Sequence, residues 1–165
     1  MAKEKNGKIS ALIVAILVPC LVLHGSHDWS AVGIYNGCRL SCRMLYPFYH
    51  AGLLHAALNV WCLLSVVFIY NVSLWRLILS YVIATTIPSL FLPPTPTVGL
   101  SGVVYVLFGT ISFEVGRKLY YQLWMLLYLA VGFLFPNTNA WVHLYCYAAG
   151  FAVALFNKPI KISRQ

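Results

Sequence analysis

Apolar residues in this chain fall into runs, and polar residues are concentrated in the gaps between them. Six runs stand out, at roughly 9–24, 51–70, 74–92, 99–116, 119–135 and 140–156. A helix that crosses a bilayer needs about 20 mostly apolar residues, fewer when it is short. Backbone groups in lipid must bond within their own segment, so the runs predict helices. Short joints separate them: Asn71-Val72-Ser73, the proline loop 93–98, Gly116-Arg117-Lys118 and Pro136-Asn137-Thr138-Asn139. The one long connection is 25–49. No linker, low-complexity tract or internal repeat divides the chain, so a single domain is expected over 1–165. The opening MAKEKNGK and the run after it are similar to a signal peptide, but no Ala-x-Ala cleavage site follows. Pro19 before Cys20 also makes a poor lipoprotein site. This run is read as a retained first transmembrane helix.

Composition supports lipid as the solvent. The 165 residues are 61% hydrophobic and only 8% charged. Soluble domains are about 45–50% apolar and about 25% charged. The expected fold class is therefore all-α, a polytopic membrane protein with a bundle of six transmembrane helices. The net charge of +8 does not indicate nucleic acid, because the charges sit at the ends of apolar segments and form no stripe. With the amino terminus in the cytoplasm, the inside receives Lys3, Lys5, Lys8, Arg76, Arg117, Lys118, Lys158, Lys161 and Arg164. The outside receives only Arg39 and Arg43, a strong positive-inside bias. The expected location is the plasma or inner membrane, with both termini cytoplasmic. Glu114 precedes Arg117 and Lys118 by three and four residues, a spacing that predicts a pair on one helix face.

Three of the segments carry polar residues near one end. The second opens His50-Ala-Gly-Leu-Leu-His55-Ala-Ala-Leu-Asn59, the fourth Gly99-Leu100-Ser101-Gly102, the sixth Trp141-Val142-His143. All three run from outside to inside in the orientation above, so these groups share a depth near the outer surface. Polar side chains in a membrane are costly and usually face a cavity or the bundle interior. His55 and Asn59 are four apart and share a helix face, as do Ser101 and Tyr105.

The residue types suggest a chemistry. A serine hydroxyl is a weak nucleophile that a neutral histidine can activate. Ser101 and His143 supply that pair. Attack on an amide carbonyl creates an oxyanion that needs preorganised donors. Asn59 offers an amide, His55 a ring N–H, and Ser101 a backbone N–H at a helix start, where donors lack partners. Asp28 and Glu114 lie outside the helix interiors, so a dyad is expected and not a triad. Gly99 and Gly102 allow the chain to bend and neighbours to approach. His50 is expected to bond the first loop.

These residues resemble the rhomboid intramembrane serine proteases, over segments two to six and part of the first loop. His-x4-His-x3-Asn matches His50, His55 and Asn59, and Gly-x-Ser-Gly matches Gly99 to Gly102. The resemblance implies the compact six-helix bacterial type, with Ser101 as nucleophile and His143 as general base. It also implies His55, Asn59 and the Ser101 N–H as oxyanion donors, and Tyr105 packed on His143. Where that family has a Trp-Arg pair in its first loop, this chain has Cys42-Arg43. Where it often has glycines three and seven residues after the histidine, this chain has Cys146 and Gly150. Cys146 is expected to face Gly102 or Gly109 on the fourth segment.

The function expected is a serine endopeptidase that cuts transmembrane or membrane-proximal segments of single-pass proteins. The alternative is an inactive rhomboid-like protein that binds membrane clients. No cofactor or metal is implied. Cys38 and Cys42 lie near His24 and His27, a spacing open to a disulfide or a metal, or to neither. Cys20, Cys62 and Cys146 are read as buried small residues.

Overall fold

The computed structural model describes residues 2–24, 28–135 and 138–157. His27, Pro136, Asn137, Lys158, Lys161, Arg164 and the side chain of Lys3 lie outside that description. Among the described residues there are eight α-helices, one 3₁₀ turn and no strand. They are α1 (Ala2–Leu23), α2 (Trp29–Val32), α3 (Leu40–Leu45), α4 (Leu53–Ile69), α5 (Leu74–Thr85), α6 (Ser101–Thr110), α7 (Lys118–Gly132) and α8 (Ala140–Phe156). The 3₁₀ turn, Ser89–Phe91, follows α5. Six helices fall on the six apolar runs. Among the described residues only α1 meets the requirement for a span by length and apolar content, and 17% of its apolar window is buried in the protein. Four others are apolar but have 10–17 residues.

Three boundaries depart from the hydropathy pattern. The run 74–92 is helical only to Thr85. Pro88 disfavours a helical residue before it, and the Thr86 hydroxyl donates to the Val82 carbonyl at 2.8 Å, closing the last turn. The run 99–116 is helical only over Ser101–Thr110. There the Thr110 hydroxyl donates to the Leu107 carbonyl at 2.8 Å and the chain passes into turns. At the amino end α1 begins earlier than the apolar run, taking in Lys5 and Lys8.

The early end of α6 also corrects the expected pairing of Glu114. Beyond Thr110 there is no continuous helix to bring Glu114 beside Arg117 and Lys118. Glu114 instead meets Arg76 of α5, Nη2 to Oε1 at 2.7 Å.

α6 is the centre of the bundle. Gly102, Val103, Val104, Val106, Leu107, Gly109 and Thr110 are all buried in it. Its most extensive partner is α8. A β-carbon on Gly109 would lie 2.7 Å from the carbonyl carbon of Gly150. One on Gly150 would lie 2.9 Å from that of Val106. The helices therefore touch backbone to backbone, the close contact that glycine permits in membrane bundles. Cys146, fully buried, faces Gly102: its sulfur lies 3.6 Å from where a Gly102 β-carbon would be. Gly109 meets the Tyr147–Phe151 backbone instead.

The loop before α4 is pinned to α5 and to the proline loop. Arg43 Nη1 donates to the Ile87 carbonyl at 2.6 Å, just past the end of α5. The Tyr46 hydroxyl donates to the Ala84 carbonyl at 2.9 Å, and the Tyr81 hydroxyl to the Met44 carbonyl at 2.8 Å. Ile34 and Thr97 form an isolated antiparallel bridge. Arg43 thus anchors the loop with Cys42 beside it in place of a tryptophan. Cys38 and Cys42 are free thiols and form no disulfide. The buried Cys42 thiol instead donates toward the Ser30 and Ala31 carbonyls, at 3.5 and 3.3 Å.

His50, 2% exposed, closes this arrangement. Its Nε2 accepts from the Leu100 N–H at 3.1 Å, and its Nδ1 lies 3.4 Å from the Phe48 carbonyl. Together these bonds call for the neutral ring protonated on Nδ1. Burial, and secondarily the His55 ring, pushes its pKa down to about 4.

Two predictions follow from the packing and the loop. Gly150→Ala should lower the melting temperature in detergent sharply, because the methyl meets backbone that cannot turn aside; overpacking costs about 1–3 kcal/mol. Gly116→Ala, whose β-carbon would meet nothing within 4 Å, should melt like the parent. For His50, an unfolded imidazole protonates near 6.5 and the folded one near 4. Between those values the unfolded chain binds the extra proton, so stability should fall as pH drops through that window. Melting curves of His50→Gln should show a lower plateau and a flatter pH profile there.

Candidate active site

Ser101 is the first residue of α6, and His143 lies in the first turn of α8. Their placement follows from the glycine contact below them and from two helix starts. α8 begins after Asn139, whose Oδ1 accepts from the Val142 N–H at 3.3 Å. α6 begins after Gly99, which has φ of +136°. A side chain there would be strained by that angle. It would also meet His55, since a β-carbon would lie 2.8 Å from the ring Cε1.

His143 Nε2 and Ser101 Oγ are 2.9 Å apart, within hydrogen-bond range. The imidazole is stacked on Tyr105, with centroids 4.3 Å apart and planes 15° from parallel. No carboxylate contacts His143 among the described residues, so the stacking sets the plane of the ring. An Oγ–H donating to an unprotonated Nε2 is the arrangement in which a hydroxyl can lose its proton as it attacks.

The pair opens on a cavity of about 460 Å³ whose walls include His55, Asn59, Cys62, Ser101, Tyr105 and His143. The cavity is mostly apolar with convergent polar groups, the common form of a ligand site. Asn59 lies in the second turn of α4 and is buried. One of its amide hydrogens goes to the His55 carbonyl at 2.9 Å, which leaves the other for a ligand. The His55 ring meets His50 edge-on at 4.9 Å and forms no hydrogen bond among the described residues. The Ser101 N–H is at the first position of α6 and has no intrahelical partner. Ser101, His143, His55, Asn59, Tyr105 and Gly99 thus line one cavity. Gly102 lies behind it against Cys146, and His50 supports the α6 start through Leu100.

Tyr46 and Cys62 are among the wall residues that had no place in the sequence reading of the site. Tyr46 lines the cavity and puts its hydroxyl against Gly102. Only a long-range contact reveals that role, and no local spacing signals it. Cys62, read as a buried filler, is partly exposed to the same cavity. It follows Asn59 by three residues, so the helix period alone could have placed it there. Among the described residues, no group of three His, Cys, Asp or Glu side chains could hold a metal.

The Rhomboid domain pattern matches residues 38–159, about three quarters of the chain and every residue of the site. Compared with curated proteins, the chain matches none. The domain match, with the all-helical fold, shows that this chain belongs to the rhomboid family and is an integral membrane protein.

Proposed function

We propose that the protein is an intramembrane serine endopeptidase that cleaves transmembrane or membrane-proximal segments of single-pass membrane proteins. The observation that carries this reading is the 2.9 Å contact of Ser101 Oγ with His143 Nε2, at the wall of a cavity that also holds Asn59 and His55. In the proposed reaction Oγ attacks the substrate carbonyl carbon while Nε2 takes the Oγ proton. The carbonyl oxygen becomes an oxyanion, held by the Ser101 N–H, the free Asn59 N–H and His55. Collapse breaks the C–N bond, and His143 gives its proton to the leaving amine. Water then attacks the acyl-serine by the same route in reverse roles. His143 works here without an acidic partner, with its ring held by Tyr105.

The proposed setting is a six-helix membrane bundle formed by α1, α4, α5, α6, α7 and α8. α4, α6 and α8 share one direction, and the site opens on the extracytoplasmic side. α6 has ten residues, about 15 Å of helix, against a hydrocarbon core of about 30 Å. Non-helical backbone at membrane depth is tolerated where protein buries it or it lines a wet cavity. The central position of α6 meets that condition. The basic-residue bias supports cytoplasmic termini.

Cleavage of a model single-pass substrate in proteoliposomes tests the reading. Ser101→Ala and His143→Ala should each lose activity on the order of 10⁶-fold while staying folded, as when members of one catalytic unit are removed. Asn59→Ala and His55→Ala should each lower turnover about 10²–10³-fold. Normal turnover by Ser101→Ala would overturn the proposal. Binding of the substrate without cleavage by the parent protein would favour the client-binding alternative. For topology, a reporter active only in the cytoplasm should work at Gly116 and fail within 93–98. The opposite pattern would invert the orientation.

A further inference from the structure

A second groove lies at the other end of α6 from Ser101. It has a volume of about 410 Å³ and is walled by Tyr70, Tyr120, Tyr121, Trp124 and Tyr128, with Arg117 at its rim. Its walls come from Tyr70 at the end of α4, Phe108 of α6, the turn before α7, and α7 itself. It shares Phe108, Met125 and Tyr128 with the cavity that holds Ser101.

Arg117 lines the groove and Lys118 follows it in the chain; neither has an ionic partner among the described residues. Arg117 and Lys118 are consecutive and exposed. The acid placed by spacing to neutralise them, Glu114, is held by Arg76. The chain has only two other acidic side chains. Asp28 is at the opposite end of the bundle, capping α2 through Ser30. Glu4 belongs to α1 and does not line the groove. Among the described residues neither Arg117 nor Lys118 has a side-chain hydrogen bond or ion pair. Both side chains are therefore open to an external anion.

The wall chemistry says which anion fits. Tyrosine and tryptophan rings are enriched at the level of lipid headgroups, where one edge is wet and the body apolar. Arginine suits phosphate through its planar fork of donors. Anionic lipids of the cytoplasmic leaflet attract cations placed beside a membrane helix. We infer that the Arg117 groove binds an anionic phospholipid, its phosphate on Arg117 and Lys118 and one acyl chain along Trp124 and Tyr128 toward Met125. The inference is independent of the protease reading; it rests on the chain residing in a membrane with Arg117 on the cytoplasmic side, the orientation proposed above.

Trp124 is a built-in reporter. The full chain is placed in phosphatidylcholine vesicles with a minor fraction of lipid brominated on the acyl chains, either phosphatidylglycerol or phosphatidylcholine. Subtracting the signal of Trp124→Phe isolates quenching at the groove. Brominated phosphatidylglycerol should quench Trp124 at much lower fractions than brominated phosphatidylcholine. Each cation near an anionic surface strengthens attraction about fivefold. Arg117→Gln/Lys118→Gln should therefore lose roughly 25-fold of the preference. Lys5→Gln/Lys8→Gln, which removes equal charge from α1, should keep it, and melting curves should show both variants folded. Equal quenching by the two lipids, or none by either, would overturn the inference. So would a preference that survives in Arg117→Gln/Lys118→Gln, or one lost equally in Lys5→Gln/Lys8→Gln.

Discussion

The contact of backbone on backbone between α6 and α8, at Gly109 and Gly150, sets the geometry of everything above it. Between helices in lipid there is no hydrophobic driving force of the kind that works in water, so close packing must supply the attraction. Ser101 lies eight residues before Gly109 and His143 seven before Gly150. Both are therefore about 10–12 Å up their helices from the contact. Two stiff rods that touch at that point diverge little over such a distance. Cys146 against Gly102 fills the interval with one small side chain. The 2.9 Å separation of Ser101 and His143 is a consequence of that packing.

The shortness of α6 imposes the second constraint. A ten-residue helix leaves non-helical backbone on either side of it, and that backbone must find partners within the protein. His50 takes the Leu100 N–H, the Tyr46 carbonyl takes the Gly99 N–H at 2.9 Å, and Ile34 pairs with Thr97. The first loop is thus the bonding partner of the segment that leads into Ser101. The next donor along, the Ser101 N–H, has no partner among the described residues, and Ser101 lines the cavity. The same bonds that satisfy the chain before Ser101 hold that one free donor in place.

Much of this was legible in the order of residues. The six apolar runs mark the six longer helices, and the positions of His55, Asn59, Ser101 and His143 place them at one end of three of them. Helix lengths were not legible, because residues 86–92 and 111–115 are nearly as apolar as the helices they follow. Apolar content does not distinguish a helix from a turn: Ile87, Leu92, Ile111 and Val115 are buried outside the helices, and Leu90 is apolar though 88% exposed. Glu114 shows a different limit. Its spacing to Arg117 and Lys118 describes a helix that has already ended, and its partner lies 38 positions away on α5. Tyr46, Arg43 and Cys42 likewise act through distant carbonyls that no local period encodes. Cys38 and Cys42 had a spacing open to pairing, yet Cys42 is turned into the loop core against Ser30 and Ala31.

In the proposed mechanism, helix packing makes one serine of this chain nucleophilic by setting it against His143. Mass-spectrometric mapping of the adduct left by a fluorophosphonate probe on the folded protein tests this directly. A single phosphonylated residue, Ser101, is expected, and none when His143 is replaced by asparagine in a protein that still folds. A folded parent protein that carries no adduct, or carries it on another serine such as Ser80 or Ser112, would contradict it.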